Sequence, residues 1–265
     1  MSTSETTNKF SLIDLPDMPE SVDNAAKNLT NSLSKNIGQT LGDAWLLVFG
    51  GISHAADKRR AKYDHALKAY NQELSDAVAA IPSEKQVEPS IQITAQALEN
   101  SKYCIEEPEL RNMFTSLISK SMNTDYRKDI HPSFAEIIKQ MSVLDAHVIE
   151  SFKHSARTQL PLCRYILQKD KGYTVLLENV FLGYRHPDLY ALSISISSLV
   201  RLGLLKISDT ECLVNDTNDC YQPFREHLWF QNLQREFPNN EISLLKQVVI
   251  LTPLGQSFSR VCIPD

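Results

Sequence analysis

Apolar residues recur along much of this chain at three and four positions, the spacing that lines them on one face of a helix. Leu41, Trp45, Val48, Phe49 and Ile52 share one such face, and Ala66, Leu67, Tyr70, Leu74, Ala77, Val78 and Ile81 continue it past a charged stretch. This pattern predicts a long helix, or a hairpin broken near Gly50-Gly51. Two prolines, Pro82 and Pro89, then bracket a short polar run that reads as a linker. Beyond it Glu106-Glu107-Pro108-Glu109 places acids and a proline at a helix start, followed by a stripe of Leu110, Met113, Phe114, Leu117 and Ile118. Ser133 with Glu136, and Ser142 with Asp145, have the spacing of reciprocal helix caps, so two more helix starts follow in quick succession.

The C-terminal part opens with a helix carrying Leu144, Val148, Ile149 and Phe152, followed by an apolar segment at 175–182 that takes the second helical place. A third helix spans about 188–202, with Leu189, Leu192, Ile196, Leu199 and Leu202 inward and Gly203 at its stop. Short strands are expected at 204–207, 212–214 and 247–251, and Thr252-Pro253 opens a closing helix. Residues 221–245 carry their own helical signal at Phe224, Leu228, Trp229 and Leu233, and read as an insertion in the hairpin. Helix, helix, helix, hairpin, helix is a winged-helix order. The expected fold class is therefore mainly α: a helical N-terminal region, a helical core, and a C-terminal winged-helix-like α+β module with a small β-hairpin. The corresponding divisions are a flexible arm at 1–24, an amphipathic helical region at 25–82, a central helical region at 89–141 and the winged-helix-like region at 142–265.

Composition narrows the class without changing the fold. The chain has 265 residues, 42% of them hydrophobic and 22% charged, enough for one large core or two modest ones. A net charge of -5 gives the surface as a whole no affinity for nucleic acid or anionic lipid. Across 191–265, six basic side chains face eight acidic ones, and the helix that would enter a DNA groove offers little beyond hydroxyls and Arg201. Duplex binding draws most of its affinity from clustered Lys and Arg, so nucleic acid is disfavoured as a partner. Cys104, Cys163, Cys212, Cys220 and Cys262 are odd in number with no CxxC pair, which fits reduced thiols in a cytoplasmic setting. The first twenty residues lack the basic and apolar segments of a signal peptide.

Candidate chemistry is sparse. Phosphate-loop, dinucleotide, HExxH and GxSxG patterns do not occur. His131 and His186 each precede a proline near a helix start, where shaping the turn explains them, and the capping role explains Asp145 and Glu136. The expectation is a protein without enzymatic activity, catalytic residue, cofactor or metal site. The strongest candidate surface is the apolar run containing Trp45, Leu46, Val48, Phe49 and Ile52, followed by Lys58, Arg59, Arg60 and Lys62. It suits self-association or a protein partner, and also a peripheral membrane contact, because nine apolar residues fall short of the ~20 needed for a span.

The run ALENSKYCIEEPELRNMFTSLISKSM, then HPSFAEIIKQMSVLDA, SSLVRLGLLKI and LTPLGQSF, resembles the Abi-alpha family of bacterial proteins linked to abortive phage infection. The likeness runs from about residue 89 to the C-terminus. It implies antiviral defence and brings no assigned catalytic residue. Three function classes follow: a defence protein acting through protein contacts, a membrane-acting effector that releases its N-terminal helix, and a winged-helix regulator that binds DNA.

Overall fold

Residues 20–31, 35–50, 57–155, 157–214 and 219–264 are described by a computed structural model of the chain. The amphipathic periodicity becomes helix nearly everywhere before residue 156: α1 (Glu20–Asn31), α2 (Lys35–Phe49), α3 (Asp57–Ala79), α4 (Ile91–Ser101), α5 (Pro108–Ser121), α6 (Phe134–Lys139) and α7 (Val143–Ser155). The expected stripe at 41–52 and its continuation thus fall on two helices, with Gly50 in a turn at the end of α2 and residues 51–56 outside the described set. Of the arm expected at 1–24, residues 1–19 also lie outside it, and residues 20–24 form the first turns of α1.

α5 lies at the centre, packed against α3, α4, α6, α7 and a C-terminal helix, α11 (Pro253–Cys262). Its stripe of Leu110, Met113, Phe114, Leu117 and Ile118 is buried, as expected. Its other faces are buried as well, and most of their polar groups are matched individually, the Thr115 hydroxyl excepted. Arg111 forks onto Glu73 of α3 at 2.8 and 2.7 Å and donates to the Ile105 carbonyl at 2.8 Å. Ser116 donates to the Val261 carbonyl at 2.8 Å, and the Lys120 ammonium to those of Arg260 and Ile263. A polar residue deep in a helix bundle is tolerable only with such partners. One apolar core runs from Val22 in α1 to Ile263 and passes across residues 82–89. That short segment is itself tied down: the Val87 N–H donates to the Met122 carbonyl at 2.9 Å, and Lys85 pairs with Asp125 at 2.7 Å.

The C-terminal part is an antiparallel sheet with helices against it. Its strands are β1 (Gln159–Lys169), β2 (Gly172–Phe181), β3 (Leu205–Ser208) and β4 (Ile242–Leu251), in the order β2-β1-β4-β3. Residues 175–182 are therefore mostly strand β2 and not a helix, and residues 212–214 form no strand. The helix–helix–helix order expected of a winged helix is interrupted by the β1–β2 hairpin between α7 and α8 (Leu189–Arg201). The physical reason is bulging. Register shifts opposite Cys163, Tyr165 and Ile166 place the extra residues on β2, where Asn179, Val180 and Phe181 are buried in succession, while β1 buries Leu162 with Cys163 and Tyr165 with Ile166, so neither strand keeps the two-residue alternation that marks a strand in sequence. Across the ladder Asn179 adopts a left-handed φ of 50° and donates to the Ser197 hydroxyl of α8 at 3.0 Å. Of the insertion expected at 221–245, the helical signal becomes α9 (Gln222–Glu226) and α10 (Leu228–Glu236) between β3 and β4, while residues 242–245 already belong to β4.

Several predicted helix ends are present in detail. Asp188 caps α8 through the Tyr190 N–H at 2.8 Å, Thr252 caps α11 through the Gly255 N–H at 3.0 Å, and Gly203 ends α8 with a φ of 76°. Ser142 and Asp145 form the reciprocal box, with N–H to side-chain distances of 2.9 and 3.1 Å. The box at Ser133 and Glu136 does not form. Ser133 is already helical in φ and ψ, its hydroxyl lies 2.7 Å from His131 Nδ1, and Glu136 accepts from Asn100 of α4.

Candidate interaction surface

The N-terminal apolar run sits on α2, and its neighbours explain where each side chain goes. α1 and α2 form a hairpin whose helices touch through glycine: a β-carbon at Gly38 would collide with the Thr30 carbonyl, and one at Gly42 with the Thr30 hydroxyl. Small residues at i and i+4 let the two backbones approach closely. Trp45 and Phe49 continue the same stripe of α2 at i+7 and i+11 from Gly38, and they are buried together with Leu41 and Val48 beside them. The rings of Trp45 and Phe49 lie 4.5 Å apart, and Tyr70 of α3 packs 5.5 Å from the first and 6.4 Å from the second. Leu46 is partly buried against the same core, whereas Leu47 is 80% exposed. Ile52 falls outside the described residues. Of the run proposed as an interaction surface, Trp45, Val48 and Phe49 therefore have their apolar area covered by this chain's own helices.

That internal interface is mostly apolar, with one buried hydrogen bond from the Asn71 amide of α3 to the Ala25 carbonyl of α1 at 3.0 Å, and it leaves other polar atoms behind. Trp45 Nε1, the Tyr70 hydroxyl and the Thr94 hydroxyl of α4 are buried without a hydrogen-bond partner. Ser101 lies beside Tyr70 but gives its own proton to the Leu98 carbonyl, and burial pushes the Tyr70 phenol well above its ordinary pKa. Of the basic residues after the apolar run, Lys62 is held by Glu106 at 2.6 Å, and that carboxylate raises the ammonium's pKa. The side chains of Lys58, Arg59 and Arg60 lie outside the described residues.

The residues weighed for chemistry are dispersed. His131 and His186 shape their turns, each accepting the N–H two residues on at 3.2 Å. Asp145 is buried between α7 and α8, where it accepts from Ser195 at 2.6 Å and Ser198 at 3.2 Å besides its cap. Sequence reasoning saw the cap and missed these hydroxyls, because their fifty-residue separation leaves no local signal. Burial pushes the Cys104 thiol up to about 11 and those of Cys163 and Cys262 well above the ordinary range, which makes them packing groups at neutral pH. Among the described residues no three His, Cys, Asp or Glu side chains are grouped to hold a metal ion, and no helix is long and apolar enough to cross a membrane. The outward side of α8 carries Tyr190, Ile194, Ser197 and Arg201, the last bonded to Gln140 at 3.1 Å.

Fold and surface together define a mainly helical protein with a C-terminal antiparallel sheet and an N-terminal helical hairpin docked on its body. The chain belongs to the abortive infection alpha family, whose model matches residues 62–262, from within α3 to the end of α11. The match begins earlier than the resemblance in the sequence, and it leaves the α1–α2 hairpin ahead of the matched region. No curated protein and no solved structure matches the chain.

Proposed function

We propose that this protein serves bacterial antiviral defence of the abortive-infection type and acts through protein–protein contacts made by the α1–α2 hairpin. Family membership supports the biological setting. The contact rests on one observation, the unevenness of the hairpin's two interfaces. Between α1 and α2 the fit is close enough to require Gly38 and Gly42. Against α3 and α4 the hairpin buries aromatic rings and is joined by one buried hydrogen bond, from the Asn71 amide to the Ala25 carbonyl at 3.0 Å, yet three polar groups stay unpaired. Each such group costs about 1–3 kcal/mol, which offsets part of the ~2–3 kcal/mol contributed by burying each ring. The hairpin is thus a unit held together internally and docked less well externally, a combination suited to exchange onto a second copy of the chain or onto a protein partner. No catalytic side chain, cofactor or metal enters this reading.

Tightening the dock tests it. Tyr70→Phe with Thr94→Val removes two unpaired hydroxyls while keeping the apolar shape, so the thermal midpoint should rise. Bacteria expressing this double variant should lose much of the phage protection given by the unaltered chain, measured as efficiency of plating. Undiminished protection alongside a raised midpoint would sink the idea.

Two other readings have narrower support. A membrane-acting effector draws on the exposed Leu47 and the basic residues after α2, and flotation of the full chain with anionic liposomes would reveal it. A DNA-binding regulator draws on a helix, α8, followed by the β3–β4 pair, but the outward side of α8 holds a single cation, Arg201. Titration with duplex DNA at low salt distinguishes that reading.

A further inference from the structure

The α1–α2 hairpin has one covalent link to the body that follows it, residues 51–56. Everything else that holds it is non-covalent. The Asn71 amide of α3 donates to the Ala25 carbonyl of α1 at 3.0 Å, and the Thr40 hydroxyl of α2 reaches the Glu88 carboxylate at 3.3 Å. Trp45 and Phe49 close over the Tyr70 ring. Three polar groups stay unpaired in this interface, which lowers the cost of opening it. Gly38 and Gly42 seat α2 closely on Thr30, so the two helices move as one piece.

Opening has two consequences at once. It bares Trp45 and Phe49 on the hairpin, and it bares Tyr70 and the groove around it on the body. Exposed apolar area on both pieces is unfavourable until both are covered again. A foreign protein that took the hairpin would leave the groove bare, and one that filled the groove would leave the hairpin bare. A second copy of the chain covers both, because its hairpin fits this groove and its groove fits this hairpin. Every contact broken within one copy is remade between two, so the balance depends on concentration and on the link at 51–56, without any new surface.

We propose that two copies of this chain exchange their α1–α2 hairpins, each hairpin seating Trp45 and Phe49 against Tyr70 of the other copy and closing a two-fold dimer. The exchange rests on the hairpin reading above and names the partner for it. Single-cysteine chains test it. One full chain carries Thr40→Cys and another Glu88→Cys, positions that are not buried, and both carry Cys212→Ser and Cys220→Ser because the other three native thiols are buried. Neither chain can link its own residues 40 and 88. Mixed over a range of concentrations and treated with a short bis-maleimide, the two should give a covalent dimer on a denaturing gel, in a yield that rises with concentration. Tyr70→Phe with Thr94→Val in both chains should reach the same final yield about tenfold more slowly, because opening breaks a tighter dock while exchanged and unexchanged contacts are identical. Absence of the mixed product at every concentration, or a rate of formation that the double variant leaves unaltered, would overturn the proposal. If the product is absent while the double variant still loses phage protection, the exchange fails and the hairpin reading stands with a foreign protein as its partner.

Discussion

Asp145 shows how much one side chain can hold. A single buried carboxylate closes the cap of α7 and gathers two serine hydroxyls from α8, so it fastens the last helix of the bundle to the helix that covers β2. Asp145→Asn keeps the size but turns one acceptor into a donor that faces other donors. The expected loss is about 2–3 kcal/mol in urea unfolding, the range for hydrogen bonds to a charged group. An unchanged midpoint would mean that these hydroxyls find other partners. His227 provides a second test, one that depends on pH. Its Nδ1 accepts the Trp229 N–H at 3.2 Å, which requires that nitrogen unprotonated, and burial lowers its pKa below the ordinary 6.5. As pH falls, the unfolded chain takes up the proton first. The contribution of neutral His227 to stability is therefore complete above about pH 6.5 and is lost as pH drops below that value toward the folded pKa. His227→Asn, which keeps a capping oxygen, should flatten this part of the stability curve.

At the scale of elements, helix starts that look alike in sequence separate in structure. Ser142→Ala should cost about 1 kcal/mol because its hydroxyl receives the Asp145 N–H. Ser133→Ala, whose hydroxyl meets only the exposed His131, should change the thermal midpoint far less. Equal losses in both variants would mean that Ser133 caps α6 after all. The difference comes from competition. Glu136 is drawn to Asn100 on another helix, and a capping partner that is engaged elsewhere cannot reach back.

For the molecule as a whole, the decisive joint is α3 against α5. Arg111 is buried and its fork is filled by Glu73, while Tyr70, Leu74 and Val78 of the same helix enter the common core. A chain starting at residue 83 would leave Arg111 without its carboxylate, a defect worth about 3 kcal/mol by itself, and would strip one wall from the core. Such a truncation should show no cooperative unfolding transition by circular dichroism. A chain lacking only residues 1–50 keeps this joint and should retain one, with a lower midpoint because α3 and α4 lose the cover of Trp45 and Phe49. A stable, cooperative fragment from residue 83 onward would show that α3 is dispensable to the core.

What the sequence determined by itself is what short-range physics controls. Amphipathic spacing marked the faces that α3, α5, α7 and α8 bury, and cap chemistry marked the starts of α8 and α11, because both depend on residues within one or two turns. The family was legible for the same reason, through blocks of such local pattern. The tertiary structure alone decided the rest. Bulges in β2, and burial of both sides of β1, erased the alternation of the two strands, so the β1–β2 hairpin could not be read. The turn of Trp45, Val48 and Phe49 toward Tyr70 depends on which surface α2 meets, and an apolar stripe looks the same whether its partner is another molecule or the next helix.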